Sequence, residues 1–168
     1  MKKYVNHYSS LFLVVIISIP GLSQLSKQDK RAAKEAMIKN WVESKKYVFV
    51  ASTVLPTGGR SRQLTPTYSM IIIEDTVIAD LPFFGRVYSA TPGSAVGGID
   101  FTSTKSEYIS KPAKKGGWDI VIKPKDIKDI RQITLFISSA GNTTVTIISN
   151  NRQSISYFGY IEERKIKL

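Results

Sequence analysis

The chain has 168 residues, of which 24 are lysine or arginine and 13 are aspartate or glutamate, giving a net charge of +11. It contains no cysteine and one histidine, His7. Disulfides, thiol nucleophiles and cysteine-ligated metal sites are therefore excluded.

The first element is an apolar run, Leu11 to Ile19, which follows a basic start and ends at Pro20. The run is too short to cross a bilayer as a helix. A basic start, an apolar segment and small residues in this order are typical of a secretory signal peptide. We predict a signal peptide over 1–23 with cleavage near Ser23/Gln24. No cysteine follows the run, so we expect the protein not to be a lipoprotein.

Removal of the signal peptide leaves 145 of the 168 residues, which we predict to form a single domain over 24–168. These residues include 22 basic and 13 acidic side chains, a net charge of +9. His7 leaves with the signal peptide, so triads and zinc sites that need histidine are excluded. We expect a periplasmic or secreted protein that touches the membrane only through its signal peptide. We expect no catalytic residue, no metal and no cofactor.

The next element is a helix, predicted over about 27–45. Ala33, Met37 and Trp41 recur at four-residue intervals with Ile38 and Val42 beside them, and lysines lie away from this stripe. This spacing predicts an amphipathic helix that packs one face on an apolar surface. A helix lying on a membrane surface is the alternative, since the segment is rich in lysine.

Short β-branched and aromatic runs separated by turn residues follow the helix and predict strands. The predicted strands cover 47–55, 68–73, 76–81, 99–110, 118–123, 130–138, 143–149 and 154–161. Because no helices lie between them, we expect antiparallel pairing. The predicted fold class is mainly β (α+β): an antiparallel sheet, sandwich or partly closed barrel of about eight strands. The N-terminal helix would cap one face or an open end.

The positive charge is concentrated in 24–46 and 111–131, which each hold seven basic and three acidic residues. This pattern favours either an anionic partner, such as a lipid head group or a polysaccharide, or a solvated lysine-rich surface. Nucleic acid is not an expected partner, because no binding module for it is present.

Arginine has a distinct distribution in this chain. Lysine outnumbers arginine 17 to 7, yet the loops around the aromatic and glycine-rich segments contain Arg60, Arg62, Arg86 and Arg152. A guanidinium offers a planar fork of donors to carboxylates, phosphates or carbonyls. These arginines either line an anion or sugar site, or hold irregular loops to carbonyls or to Asp80 and Asp100.

Two aromatic clusters each contain a glycine, and their members are Phe83, Phe84 and Tyr88 in one and Tyr157, Phe158 and Tyr160 in the other. Adjacent strand residues face opposite ways, so one ring of each adjacent pair should be buried and its neighbour exposed. The rings either form a binding surface for a carbohydrate or peptide, or Phe83 and Phe158 fill the core where the strands bend at Gly85 and Gly159.

Two further patterns in the sequence bear on chemical sites. The segment Gly93 to Gly98 is not a phosphate-binding loop, because a strand follows it instead of lysine and a helix. Asp80 and Asp100 are candidates for a pair of acid and base carboxylates. Exposed aspartates at strand ends are the commoner explanation of such residues.

Four motifs in the same order resemble a family of exported bacterial proteins common in Bacteroidota, catalogued as domain of unknown function 4251. The motifs are PTGGRSRQLTPTYSM (56–70), DTVIADLPFFGRVYSA (75–90), GGIDF (97–101) and NNRQSISYFGYIE (150–162). The resemblance covers about 27–162 and implies export and a single domain. No activity is assigned to the family, so the resemblance implies no catalytic residue.

We therefore expect an exported envelope protein that acts as a non-catalytic binding or interaction module, with an anionic or carbohydrate ligand. Its site would be formed by the loops 58–60, 83–88 and 151–153. The candidate ligand-binding residues are Arg60, Arg62, Phe84, Arg86, Tyr88, Arg152 and Tyr157. The alternatives are a carboxylate-based enzyme using Asp80 and Asp100, and a structural envelope protein.

Overall fold

The structure, a computed structural model, describes residues 27–65, 67–88, 97–114 and 116–164. The predicted signal peptide over 1–23 lies outside these ranges, as does most of the glycine-rich segment 93–98. Within them, no helix is both long and apolar enough to cross a membrane.

The described ranges contain one helix and ten strands. The helix α1 is Lys27–Ser44. The strands are β1 (Lys46–Pro56), β2 (Arg62–Gln63), β3 (Ser69–Ile73), β4 (Thr76–Pro82), β5 (Gly98–Ser103), β6 (Ser106–Pro112), β7 (Trp118–Pro124), β8 (Ile130–Ile137), β9 (Asn142–Ser149) and β10 (Ile155–Glu162).

All the strands belong to one antiparallel sheet in the order β5-β4-β3-β1-β10-β9-β8-β7-β6, and the short β2 pairs with β1. The sheet curls into a nearly closed barrel, which confirms the predicted fold class. The predicted strand over 99–110 is in fact two strands, because the chain turns at 104–105 and passes from one edge of the sheet to the other. The two-residue β2 was not predicted.

The core fills the inside of the curled sheet with alternating side chains from every long strand. Fully buried examples are Tyr47 and Phe49 in β1, Ile120 and Ile122 in β7, and Leu135 in β8. Each such side chain contributes about 1.5–3 kcal/mol to folding through removal of apolar surface from water. The period-two pattern of the sequence thus matches the inward face of the barrel.

The helix docks through its C-terminal half only. Ile38 and Val42 are buried, whereas Met37 is 52% exposed and Ala33 is fully on the surface. Of the predicted apolar stripe, Ile38, Val42 and the half-buried Trp41 therefore form the contact, and Ala33 and Met37 do not. The two buried residues are four apart and so lie on one face of the helix.

Two glycines allow close approaches that set the shape of the barrel. Gly141, in the β8–β9 turn, has a φ of 85°, which favours glycine, and a Cβ there would lie 2.9 Å from Ile38 Cδ1 of the helix. Gly159 in β10 faces the backbone of Val50, next to a register shift in β1 after Ala51. This irregularity is consistent with the predicted bend at Gly159.

Candidate functional site

The three loops of the predicted site are neighbours at one end of the barrel. The segment 83–88, which follows β4, lies against the β9–β10 connection 150–154. Val87 and Arg152 form an isolated antiparallel bridge. The N–H of Tyr88 donates to Asn151 O at 2.8 Å, and the N–H of Gln153 donates to Arg86 O at 2.9 Å. The segment 83–88 is therefore held as an irregular extra strand beside this connection.

Gln153 joins the third loop to these two. Its side-chain oxygen accepts the N–H of Arg86 at 3.3 Å, and its amide nitrogen donates to Thr57 O at 2.9 Å. The hydroxyl of Thr57 donates to Ser154 O at 2.7 Å. The loops after β1, after β4 and between β9 and β10 thus meet at one amide side chain. Sequence reasoning did not single out Gln153, because a glutamine in a turn carries no recognisable signal.

Five of the predicted residues are exposed on these loops: Arg60, Arg62, Phe84, Arg86 and Tyr88. Phe84 is 38% exposed, and the guanidinium of Arg62 lies 4.7 Å from its ring centroid. Tyr88 is 69% exposed, and Arg86 is exposed beside it. Arg60 is also exposed, in the loop after β1. A cation over an aromatic face orders both side chains, so Arg62 and Phe84 form a defined unit.

Arg152 has a structural role in this arrangement. Its side chain is 11% exposed. Nη1 donates to Gly98 O at 2.5 Å, Nε lies 3.5 Å from Asp129 Oδ2, and the guanidinium lies 5.5 Å from the Phe83 ring centroid. This arginine therefore binds a carbonyl and a carboxylate of the protein itself. Of the two roles expected for the loop arginines, Arg152 has the structural one, in which it holds irregular loops in place. Its carboxylate partner is Asp129, and the expected partners Asp80 and Asp100 were wrong for it.

Tyr157 is not available to a ligand in this structure. Its ring is fully buried, and its hydroxyl donates to Pro82 O at 2.9 Å. Burial raises the pKa of Tyr157, and the charge of Arg152 only partly opposes this rise. The prediction that Tyr157 is a ligand-binding residue is therefore wrong. Its hydrogen bond to Pro82 O connects β10 to the end of β4. Phe158 beside Tyr157 is exposed, so the expectation that Phe158 fills the core is wrong. Phe83 is buried and Phe84 is exposed, so one ring of each adjacent pair lies inside, as strand alternation predicted.

Asp80 and Asp100 lie directly opposite each other on β4 and β5, and both are exposed. Opposed residues on neighbouring strands have Cβ atoms about 4.5–5.5 Å apart. Asp100 lines a cavity beside β5, and Asp80 is not among the residues that line it. The structure thus brings the two carboxylates together on the outside of the sheet. In the described ranges, no group of three or more histidine, aspartate or glutamate side chains is placed to hold a metal.

A cleft that sequence reasoning missed lies between the end of α1 and strands β6 and β7. It has a volume of about 490 Å³ and is lined by Lys45, Tyr108 and Trp118 among others. Lys45 has a φ of 55° and lies 5.3 Å above the Tyr108 ring. The Tyr108 hydroxyl lies 3.2 Å from that of Tyr47. Burial raises the pKa of Tyr108 to about 12 and raises that of Tyr47 well above its usual value.

Comparison with known proteins assigns the chain to a family. A family model described as "Domain of unknown function (DUF4251)" matches residues 29–161. The chain belongs to the DUF4251 family. The match covers the first three motifs on which the resemblance was based and the fourth as far as residue 161. The three loops joined by Gln153 lie within the first, second and fourth motifs.

A solved DUF4251 structure supports the fold. The crystal structure of a DUF4251 family protein from Bacteroides eggerthii DSM 20697 is similar to this chain with a TM-score of 0.61 and 20% sequence identity. The similarity covers 79% of this chain and 91% of that one. No curated protein matches the sequence. The DUF4251 family name assigns no activity, so any role for these residues has to be argued from the geometry of the site.

Proposed function

We propose that this DUF4251 protein is an exported, non-catalytic binding module of the cell envelope. Its ligand surface would be the exposed part of the three joined loops, 57–62, 83–88 and 150–154, which we call the three-loop surface. The observation that carries this proposal is the position of Gln153, which bonds to both other loops. Loops fixed in this way present exposed side chains at low entropic cost to a ligand.

The charge of the three-loop surface favours an anionic ligand. Its three ranges contain four arginines and no acidic residue. Arg152 is engaged by Asp129, whereas Arg60, Arg62 and Arg86 form no ion pair with any described residue. Unpaired guanidinium groups on neighbouring loops create a positive potential and supply donors for carboxylates or phosphates.

The exposed rings favour a carbohydrate among anionic ligands. Phe84 has Arg62 over its ring and still exposes over a third of its surface. Tyr88 is the most exposed large hydrophobic side chain among the described residues. Aromatic rings with a polar rim bind molecules that have both apolar faces and hydroxyl groups. An acidic polysaccharide combines such faces with carboxylates, so we propose this ligand class.

The proposal is tested by calorimetric titration of the mature protein with an oligouronate, and with a neutral glucan of the same length. We expect saturable binding of the oligouronate that weakens with added salt, and no binding of the glucan. Phe84→Ala and Arg62→Gln should each weaken binding about tenfold, the effect of losing one contact worth about 1.4 kcal/mol.

Matched control variants are available on the outer face of β8. Phe136 is 38% exposed, as Phe84 is, and Arg131 is an exposed arginine away from the loops. Phe136→Ala and Arg131→Gln should leave binding unchanged. Oligouronate binding that is equal in wild type and in folded Phe84→Ala and Arg62→Gln variants would contradict the proposed surface. Loss of stability in these variants, with no binding by the wild type, would support the structural alternative.

A further inference from the structure

The nearly closed barrel has a narrow opening in its wall beside the free edge of β5. Residues 98–101 of β5 form one wall of this opening, and residues 127–130, which precede and begin β8, form the other. Arg152 lies at one end. The opening encloses about 170 Å³, and we call it the β5 slot. It is separate from the exposed side chains of the three-loop surface.

Two side chains bond to the two ends of β5. At the end of β5, the Asp126 carboxylate accepts the Ser103 hydroxyl and the N–H of Thr104. These hydrogen bonds hold the pKa of Asp126 below its usual value, and the bond from Ser103 has the largest effect. At the start of β5, Arg152 bonds to Gly98 O and contacts Asp129. With a volume of about 170 Å³, the slot has room for a side chain.

The polar groups around the slot are mainly acceptors. Asp129 Oδ2 lies 3.5 Å from Arg152 Nε, while Asp129 Oδ1 is buried and has no hydrogen-bond partner within the described ranges. A buried acceptor without a partner is destabilising. The side chain of Asp129 as a whole is 33% exposed and lines the slot, so its carboxylate can be approached by a donor that enters there.

Asp100 adds a second carboxylate to the slot, together with its own backbone N–H and C=O. Its side chain is exposed and forms no ion pair with a described residue. Gly98 lies opposite Pro82, which has no N–H, and its carbonyl bonds to Arg152. The carbonyl of Gly98 therefore points away from β4. Because backbone direction alternates along an antiparallel strand, the N–H and C=O of Asp100 also point away from β4 and towards the open edge.

The balance of charge and shape defines the ligand. Two aspartates and one arginine give the slot a net charge of −1, within a chain whose net charge is +11. Phe101 and Ile127 are partly buried against the core and supply apolar walls. A hard metal ion prefers six or more oxygen ligands, which these walls do not offer. A primary ammonium has three donors, and the methylenes that carry it suit an apolar wall.

We propose that the β5 slot binds a primary alkylammonium group. The ammonium pairs with the carboxylates of Asp129 and Asp100, and the alkyl chain lies along Phe101 and Ile127. The group comes either from a free aliphatic amine or from a lysine side chain of another protein, and both sources present the same chemistry to the slot.

The test is an NMR titration of ¹⁵N-labelled mature protein with 1-aminopentane and, separately, with lysine blocked at its α-amino and carboxyl groups. Saturable shifts should be confined to the amides of 98–101 and 127–130. The neutral analogues, 1-pentanol and the same blocked lysine acetylated at Nζ, should cause no such shifts. Tighter binding of blocked lysine would support a protein source, and tighter binding of 1-aminopentane would support a free amine. Both results support the site.

Variants show which side chains bind the ammonium group. Asp129→Asn and Asp100→Asn should each weaken binding about tenfold, since hydrogen bonds to charged groups are the strong ones. Asp80→Asn is the matched control: it removes an exposed carboxylate opposite Asp100 that does not line the slot. Asp100 is exposed, so its variant should keep the fold even if Asp129→Asn does not. Equal binding of amine and alcohol, or unchanged binding in folded Asp100→Asn, would overturn the proposal.

Discussion

Gly159 is a position at which one added methyl group should have a large effect on folding. It lies opposite Ala51 in the ladder between β1 and β10, which joins the two halves of the sheet. A Cβ on Gly159 would collide with the carbonyl oxygen of Val50 and would lie 2.9 Å from Phe49 Cε2. Real Cβ atoms essentially never come within 3.0 Å of such atoms, so Gly159→Ala forces a displacement.

Neither neighbour can move away easily. Val50 belongs to the β1 ladder, and Phe49 is fully buried in a close-packed core. β10 must therefore move away from β1 and weaken about two ladder hydrogen bonds, worth about 1 kcal/mol each. Overpacking against Phe49 adds about 1–3 kcal/mol. We expect Gly159→Ala to lower the free energy of unfolding by about 3–5 kcal/mol, a large part of the 5–15 kcal/mol of a typical domain.

Urea denaturation followed by tryptophan fluorescence measures this change. With a slope of about 2 kcal/mol per molar urea, the midpoint should fall by about 2 M. Gly97→Ala is the control, because a Cβ at Gly97 would have no atom of the described residues within 4 Å. Its midpoint should match that of the wild type. A loss below about 1 kcal/mol in Gly159→Ala would refute the argument from close approach.

The remaining predictions concern the helix, the structural arginine and pH. Ile38→Ala should lower the free energy of unfolding by about 2–4 kcal/mol in the same urea assay, because Ile38 is buried. Met37→Ala, at an exposed position, should lower it by well under about 1 kcal/mol. Equal losses in the two variants would refute the described docking of α1. Arg152→Lys should cost about 2 kcal/mol, since a lysine cannot bond to Gly98 O and a carboxylate with one planar fork; an unchanged melting temperature would exclude this structural role. The raised pKa of Tyr108, about 12 against 10.0, stabilises the fold fully below about pH 10, and this contribution is lost as the pH rises from 10 towards 12. Tyr108→Phe should make the alkaline loss of stability shallower, and an identical pH profile would contradict the assignment.

Local patterns in the sequence were sufficient for most of the secondary structure. The hairpin of β3 and β4 around 74–75 and the hairpin of β8 and β9 both lie within a residue or two of their predicted places. These elements could be predicted because alternation and turn residues act between close neighbours along the chain. The same locality explains why Phe83 and Phe84 divide between core and surface as expected.

The predicted site was only partly recoverable from sequence. The aromatic, glycine and arginine content of three separated segments indicated that they act together, and the structure places them side by side. Which residue faces a ligand was not recoverable. Arg86 and Arg152 looked alike in sequence, yet one is exposed and the other bonds to Gly98 O and Asp129 inside the barrel wall.

By itself, the sequence determined the mainly β fold, the helix that precedes it, and the absence of cysteine and of a histidine beyond His7. These properties depend on composition and on interactions between residues close in the chain. Only the tertiary structure decided that Gln153 joins three loops, that Tyr157 is buried, and that a slot remains beside β5. Each of these features depends on pairing between segments about 30 to 100 residues apart, whose register no local pattern specifies.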